Sequence, residues 1–82
     1  MIKLDKKTLD EFIRITRKYI STGDTDILDK RRAIKNKLLN GISFPKNNVD
    51  DAIYELCVMK VSYSKIYEVL NILGFEVIEN VG

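Results

Sequence analysis

The stretch "LCVMKVSYSKIYEVLNILGF", residues 56–75, decides how the chain is read. Leu56 continues an apolar stripe begun by Val49, Ala52 and Ile53 and extended by Met59, so 49–59 predicts a helix. Asn48 with Asp51 caps it, and Cys57 lies beside the stripe as a small core or boundary hydrophobe. Ser62 is a natural cap for a second helix over 63–73, whose stripe is Ile66, Val69, Leu70 and Leu73. Gly74 stands where a left-handed residue closes a helix, and Phe75 can fold back on Leu70 as the apolar contact of a Schellman motif. Two packed helices and a turn are therefore expected. The open question is whether they read DNA or only pack against each other.

Towards the N-terminus, Leu9, Phe12, Ile13, Thr16, Tyr19 and Ile20 recur at helical spacing and predict a helix over 8–21. Thr8 and Glu11 form a capping box at its start, and Gly23 stops it. Asp24 or Thr25 caps a further helix over 25–40, with Ile27, Ile34 and Leu38 on one face and Gly41 at its end. In the connection "ISFPKNN" (42–48), Pro45 pushes Phe44 towards an extended conformation. The tail "FEVIENVG" is β-prone without a helical stripe. It is read as a short strand, beside residues 1–4 or 42–44, or as a frayed end. The fold class expected is all-α: a small four-helix bundle with a helix-turn-helix-like C-terminal pair and a short extended tail. Its core is Leu9, Phe12, Ile13, Ile27, Ile34, Leu38, Ile53, Leu56, Ile66, Leu70 and Leu73.

With 82 residues the chain forms one domain, 1–82. A domain of this size buries only about 60% of its unfolded surface, so its stability margin is thin. No apolar run approaches the roughly 18 residues of a membrane span. The N-terminal "MIKLDKKTLDEF" has no uninterrupted apolar segment of a signal peptide. The single cysteine forbids an intrachain disulfide, which fits a cytoplasmic, reducing compartment. Charge is uneven: residues 1–45 hold eleven Lys and Arg against six Asp and Glu, and residues 46–82 hold three against six. Such asymmetry shapes partner choice more than fold.

Histidine is absent, which excludes histidine-based triads and, with one cysteine, a Cys/His zinc site. The glycines stand alone, so there is no phosphate-binding loop. The acid pairs Asp24/Asp26 and Asp50/Asp51 lie at helix starts, where the helix dipole favours them. No catalysis, cofactor or metal is expected.

Residues 50–74 resemble a helix-turn-helix of the kind found in small regulators of mobile elements. That pattern places a Leu, a Gly four residues on, then Ser-x-x-x-Ile-Ala-x-x-Leu, and Leu56, Ser62, Ile66 and Leu70 match it. Lys60 stands in place of the turn glycine, and Tyr67 in place of the small residue. The resemblance covers about a third of the chain and implies DNA binding, with helix 63–73 offering Tyr63, Ser64, Lys65, Tyr67, Glu68 and Asn71 as a reading face. That half of the chain is acidic, and DNA affinity rests on phosphate neutralisation. The backbone contacts would come from Arg14, Arg17, Lys18, Lys30, Arg31, Arg32, Lys35 and Lys37, with Lys65 on the reading helix. The alternative for such a cluster is a solvated helix face.

The competing reading, placed first, is a non-enzymatic interaction protein that docks on another protein. Tyr54, Tyr63 and Tyr67 are its candidate contacts, since tyrosine gives contact area at small entropic cost. The alternative is that they cover the core edge. Separated basic and acidic halves suit association with a charged partner, or with a second copy head to tail as a homodimer. By analogy, a small Lys/Asn/Ile-rich protein without catalytic groups resembles phage and plasmid regulators or inhibitors.

Overall fold

The computed structural model describes residues 2–42 and 46–79. Strand β1 (Ile2–Asp5) leads into helix α1 (Lys6–Thr22), a single 3₁₀ turn (Thr25–Ile27) and α2 (Leu28–Leu38). Helices α3 (Lys46–Val58) and α4 (Tyr63–Ile72) follow, and β2 (Phe75–Ile78) closes the order. The expected all-α bundle is therefore corrected to a mixed fold: four helices lie between two strands that pair in parallel. A parallel pair needs a long crossover, and here the crossover is the whole helical set. "IKLD" alternates apolar with polar throughout, and "FEVI" does so from Phe75 to Val77. The register sets Ile2 opposite Phe75 and Leu4 opposite Val77 on the inner face, and Lys3 opposite Glu76 outside. The tail is thus a strand beside the N-terminal segment, the first of the two partners weighed for it.

The remaining corrections are local. α1 starts two residues before the expected Thr8, because Asp5 is its N-cap: Asp5 Oδ2 accepts from Thr8 N (3.1 Å) and Thr8 Oγ1 (2.7 Å). Those two bonds from Thr8 hold the Asp5 carboxyl below its ordinary pKa. The second helix opens as a 3₁₀ turn capped by Asp24 and becomes α-helical only at Leu28. α3 begins at Lys46, so Asn48 lies inside it and is not its cap. Phe44 and Pro45 lie outside the described residues. Gly23 (φ 66°) and Gly74 (φ 100°) are left-handed at the ends of α1 and α4, as expected.

The core holds Leu4, Leu9, Phe12, Ile13, Ile34, Leu38, Leu39, Ile53, Ile66, Leu70 and Phe75 among its buried members, with Ile15, Val49 and Cys57 beside them. Ile27 and Leu56 are only half-buried against it. Leu73 is 50% exposed and Met59 is 68% exposed, so neither is a core residue. Both lie just past the last turn of their helices, where the 3.6-residue periodicity that predicted their burial no longer applies. α1 packs against α2 and α3, and α4 lies on β2.

Candidate functional site

α3 ends in a hydrogen-bonded close at which two of the candidates, Arg17 and Tyr63, come together. Lys60 N donates to Cys57 O (3.1 Å) and Val61 N to Leu56 O (3.4 Å), the two bonds of a Schellman motif. The left-handed residue of that motif is Lys60, at φ 57°, the one non-glycine with positive φ among the described residues. It occupies the position where the helix-turn-helix pattern places glycine. Two residues on, Ser62 accepts from Lys65 N (3.2 Å) and caps α4 as expected.

Arg17 fastens this turn to α1. Its Nη2 donates to Val61 O, and the guanidinium lies over the Tyr63 ring, 4.9 Å from the centroid. Its Nε is buried without a hydrogen-bond partner among the described residues. The buried Cys57 sits beside it, with its thiol pushed above the ordinary pKa by burial, an effect that Arg17 opposes. Arg17, Ile20, Ser21, Cys57 and Lys60 line a cleft of about 590 Å³.

Arg31 is held differently. Its Nη2 donates to Asp50 Oδ1, Nη1 to Asp50 Oδ2 (3.3 Å) and Nε to Thr16 Oγ1 (2.9 Å), while the guanidinium lies 4.5 Å from the Phe12 ring centroid. Lys35 Nζ lies 3.4 Å from Asp50 Oδ2. Thr16 Oγ1 in turn donates to Phe12 O (2.7 Å), so this buried hydroxyl is satisfied. One carboxylate on α3 thus gathers two cations of α2 against α1. Asp50, expected to serve the α3 dipole, is their counter-charge.

The candidate tyrosines separate. Tyr67 Oη donates to Asp10 Oδ1, and Lys6 bonds the same carboxylate at 3.2 Å. Burial first, then the Asp10 bond and charge, push the Tyr67 phenol well above its ordinary pKa. Tyr63 and Tyr67 are half-buried against the core. Tyr54 is 38% exposed on α3 and lines a groove with Glu55, Val58 and Met59. Val58 is 52% exposed, and neither it nor Met59 was a candidate contact. The spacing of Tyr54 and Val58, one turn apart and off the buried stripe, was the available signal.

The candidate cations divide in the same way. Arg17, Arg31 and Lys35 point inward to the contacts just described. Arg32 is exposed and weakly paired with Asp29 (3.8 Å), as Lys65 is with Glu68 (3.7 Å). Arg14, Lys18, Lys30 and Lys37 are exposed, and none forms an ion pair among the described residues. Lys7, not a candidate, is also exposed on the Arg14 and Lys18 face of α1, and both it and Lys37 act electrostatically on Asp5. On α4, Ser64, Lys65, Glu68 and Asn71 are exposed, while Ile66 and Leu70 are in the core. No helix among the described residues is long and apolar enough to cross a membrane. Compared with known proteins, the chain matches no family model, no curated protein and no solved structure.

Proposed function

We propose that the chain is a non-enzymatic binding protein, a small cytoplasmic regulator or inhibitor of the phage or plasmid kind, acting by contact with another protein. The observation that carries this reading is the apolar end of α3. Tyr54, Val58 and Met59 adjoin one another at the surface, although the core closes without them. Contiguous exposed apolar side chains mark contact surfaces more often than scattered ones do. Asp51 and Glu55, both exposed beside them, give the patch an acidic rim suited to a basic partner surface. Tyr63 and Tyr67 do not form its contact surface, since Arg17 and Asp10 hold them in the fold.

The test compares affinity capture by the wild type and by Val58→Glu/Met59→Glu. A partner that binds the wild type, is lost by the variant at equal melting temperature, and binds again as a purified protein supports the reading. Partners retained equally by both would remove this patch from the function.

Duplex DNA is the second reading, favoured by the exposed cations Lys7, Arg14, Lys18, Lys30 and Lys37 on the two-helix hairpin α1–α2, none of which forms an ion pair among the described residues. Five phosphate contacts give a log affinity falling with log salt at a slope of about −4.5. Fluorescence anisotropy with random duplex across a salt series reads this directly. The informative reversals are Arg14→Glu, Lys18→Glu and Lys30→Glu. Reversing Arg31 or Lys35 would disrupt the Asp50 cluster and confuse binding with unfolding.

A further inference from the structure

We propose that the cleft between α1 and the α3–α4 turn binds a small organic anion, a carboxylate carrying a short apolar tail. Its first support is a missing counter-charge. Arg17 and Arg31 are both half-buried arginines lying over aromatic rings. Arg31 has the Asp50 carboxylate. Arg17 has a backbone carbonyl, a ring face and a thiol, and no acid within ion-pair distance among the described residues. A partly desolvated cation without an anion is a costly arrangement, and a bound anion would relieve it.

The second support is the cleft. Lys60 supplies a second cation, Ser21 a hydroxyl, and Ile20 and Cys57 apolar surface, and no acid lines it among the described residues. Its volume of about 590 Å³ lies within the ordinary range of small-molecule sites. Two cations together with the apolar side chains of Ile20 and Cys57 suit a carboxylate with a short tail better than a fully hydrated ion. The third support is the conformation of Lys60. A lysine holds the left-handed position that glycine fills at lower cost, and such outliers gather at ligand sites. A glycine there would ease the backbone and remove the cation. This inference stands apart from the partner patch and from the DNA reading.

The same carboxylate chemistry comes from a free short-chain acid or from the C-terminus of a partner chain. Two-dimensional amide NMR of the full chain, titrated with hexanoate, hexanamide, inorganic phosphate and an acetylated leucine dipeptide with free or amidated C-terminus, separates them. Expected are saturable shifts confined to residues 17–21 and 57–63 with hexanoate and none with hexanamide. The free dipeptide binding more tightly than hexanoate, with the amidated form silent, would assign a partner's C-terminus. Hexanoate binding more tightly would assign a free acid. Lys60→Gly should weaken hexanoate about threefold while raising the melting temperature. Lys60→Glu should abolish binding with its amide spectrum otherwise retained. Arg17→Gln should also abolish binding, and the Lys60 pair decides the matter if that variant fails to fold. Equal response to hexanamide, unchanged binding by Lys60→Glu, or phosphate outcompeting hexanoate at the same residues would each overturn the proposal.

Discussion

Removing Asp50 should destabilise the fold more than removing either of its cations. The Arg31 and Asp50 side chains keep only 12% and 17% of their exposure, and Lys35 keeps 20%. Breaking a fully buried ion pair costs about 3–5 kcal/mol, because the surviving charge is left uncompensated. The residual exposure here lowers that to about 2–4 kcal/mol for Asp50→Asn, which strands both Arg31 and Lys35. Arg31→Met leaves Asp50 with Lys35 and should cost about 2 kcal/mol, including the lost bond to Thr16. A domain of this length has a total margin of about 4–12 kcal/mol. Its unfolding entropy near the midpoint is about 170 cal/mol/K, so a loss of 3 kcal/mol lowers Tm by about 17 °C. The double variant Arg31→Met/Asp50→Asn strands only Lys35, whose more exposed, flexible chain can reach water. It should lose less than the two single losses combined. Urea unfolding followed by circular dichroism measures all three, with Arg32→Met as the reference. Arg32 is 70% exposed and should move stability by less than about 0.5 kcal/mol. If Asp50→Asn and Arg31→Met unfolded at the same urea concentration as Arg32→Met, the cluster would contribute nothing and the reasoning would fail.

Leu70→Ala should cost about 2–5 kcal/mol, whereas Leu73→Ala should fall within about 0.5 kcal/mol of wild type, since Leu70 is fully buried and Leu73 is half exposed. Equal losses in thermal melts would contradict the described end of α4. In an alkaline titration read by tyrosinate absorbance, Tyr67 should ionise well above the ordinary phenol range, and Tyr67→Phe should delete that late step. Because the folded phenol has the raised pKa, its contribution to stability is complete below about pH 10 and is lost as pH rises through the folded value. Asp5 has the opposite sign: its folded pKa is lowered, so its contribution is present above about pH 3.9 and is lost as pH falls through the folded value. Asp5→Ala should lower Tm at neutral pH and flatten the acid side of the stability profile, and a variant with the wild-type profile would remove Asp5 as the cap.

The helix ends were legible where one residue type carries the geometry. Gly23 and Gly74 supply left-handed φ, and the Ser62 hydroxyl reaches a free backbone N–H, each through local chemistry alone. The strands were harder to read, because a four-residue alternating segment becomes a strand only through a partner, and "IKLD" finds its partner more than seventy positions away in "FEVI". The start of α1 failed for another reason. Thr8 and Glu11 match a capping box, but Asp5 stands three residues ahead of Thr8 and takes both of its donors. Two local signals competed, and the carboxylate, which accepts charge-assisted bonds, prevailed over the hydroxyl.

The candidate site shows the same limit at the level of charge. In sequence, Arg17 and Arg31 are equivalent cations on amphipathic helices, and both are candidates for a nucleic-acid-facing surface. The fold turns both inward, and what separates them is the residue each meets across the chain. Asp50 comes from nineteen positions away to meet Arg31. Val61 O comes from forty-four positions away to meet Arg17. A carbonyl gives a dipole and no charge, so the field of Arg17 persists into the cleft beside it. The left-handed turn at Lys60 redirects the chain between Cys57 O and Val61 O, and it sets the Lys60 cation on the rim of that cleft. The geometry that lets Arg17 hold the turn therefore also places two cations on the lining of one cleft, with no acid among its described lining residues. No spacing rule within either helix could have shown this, because the turn and the arginine belong to opposite ends of the chain.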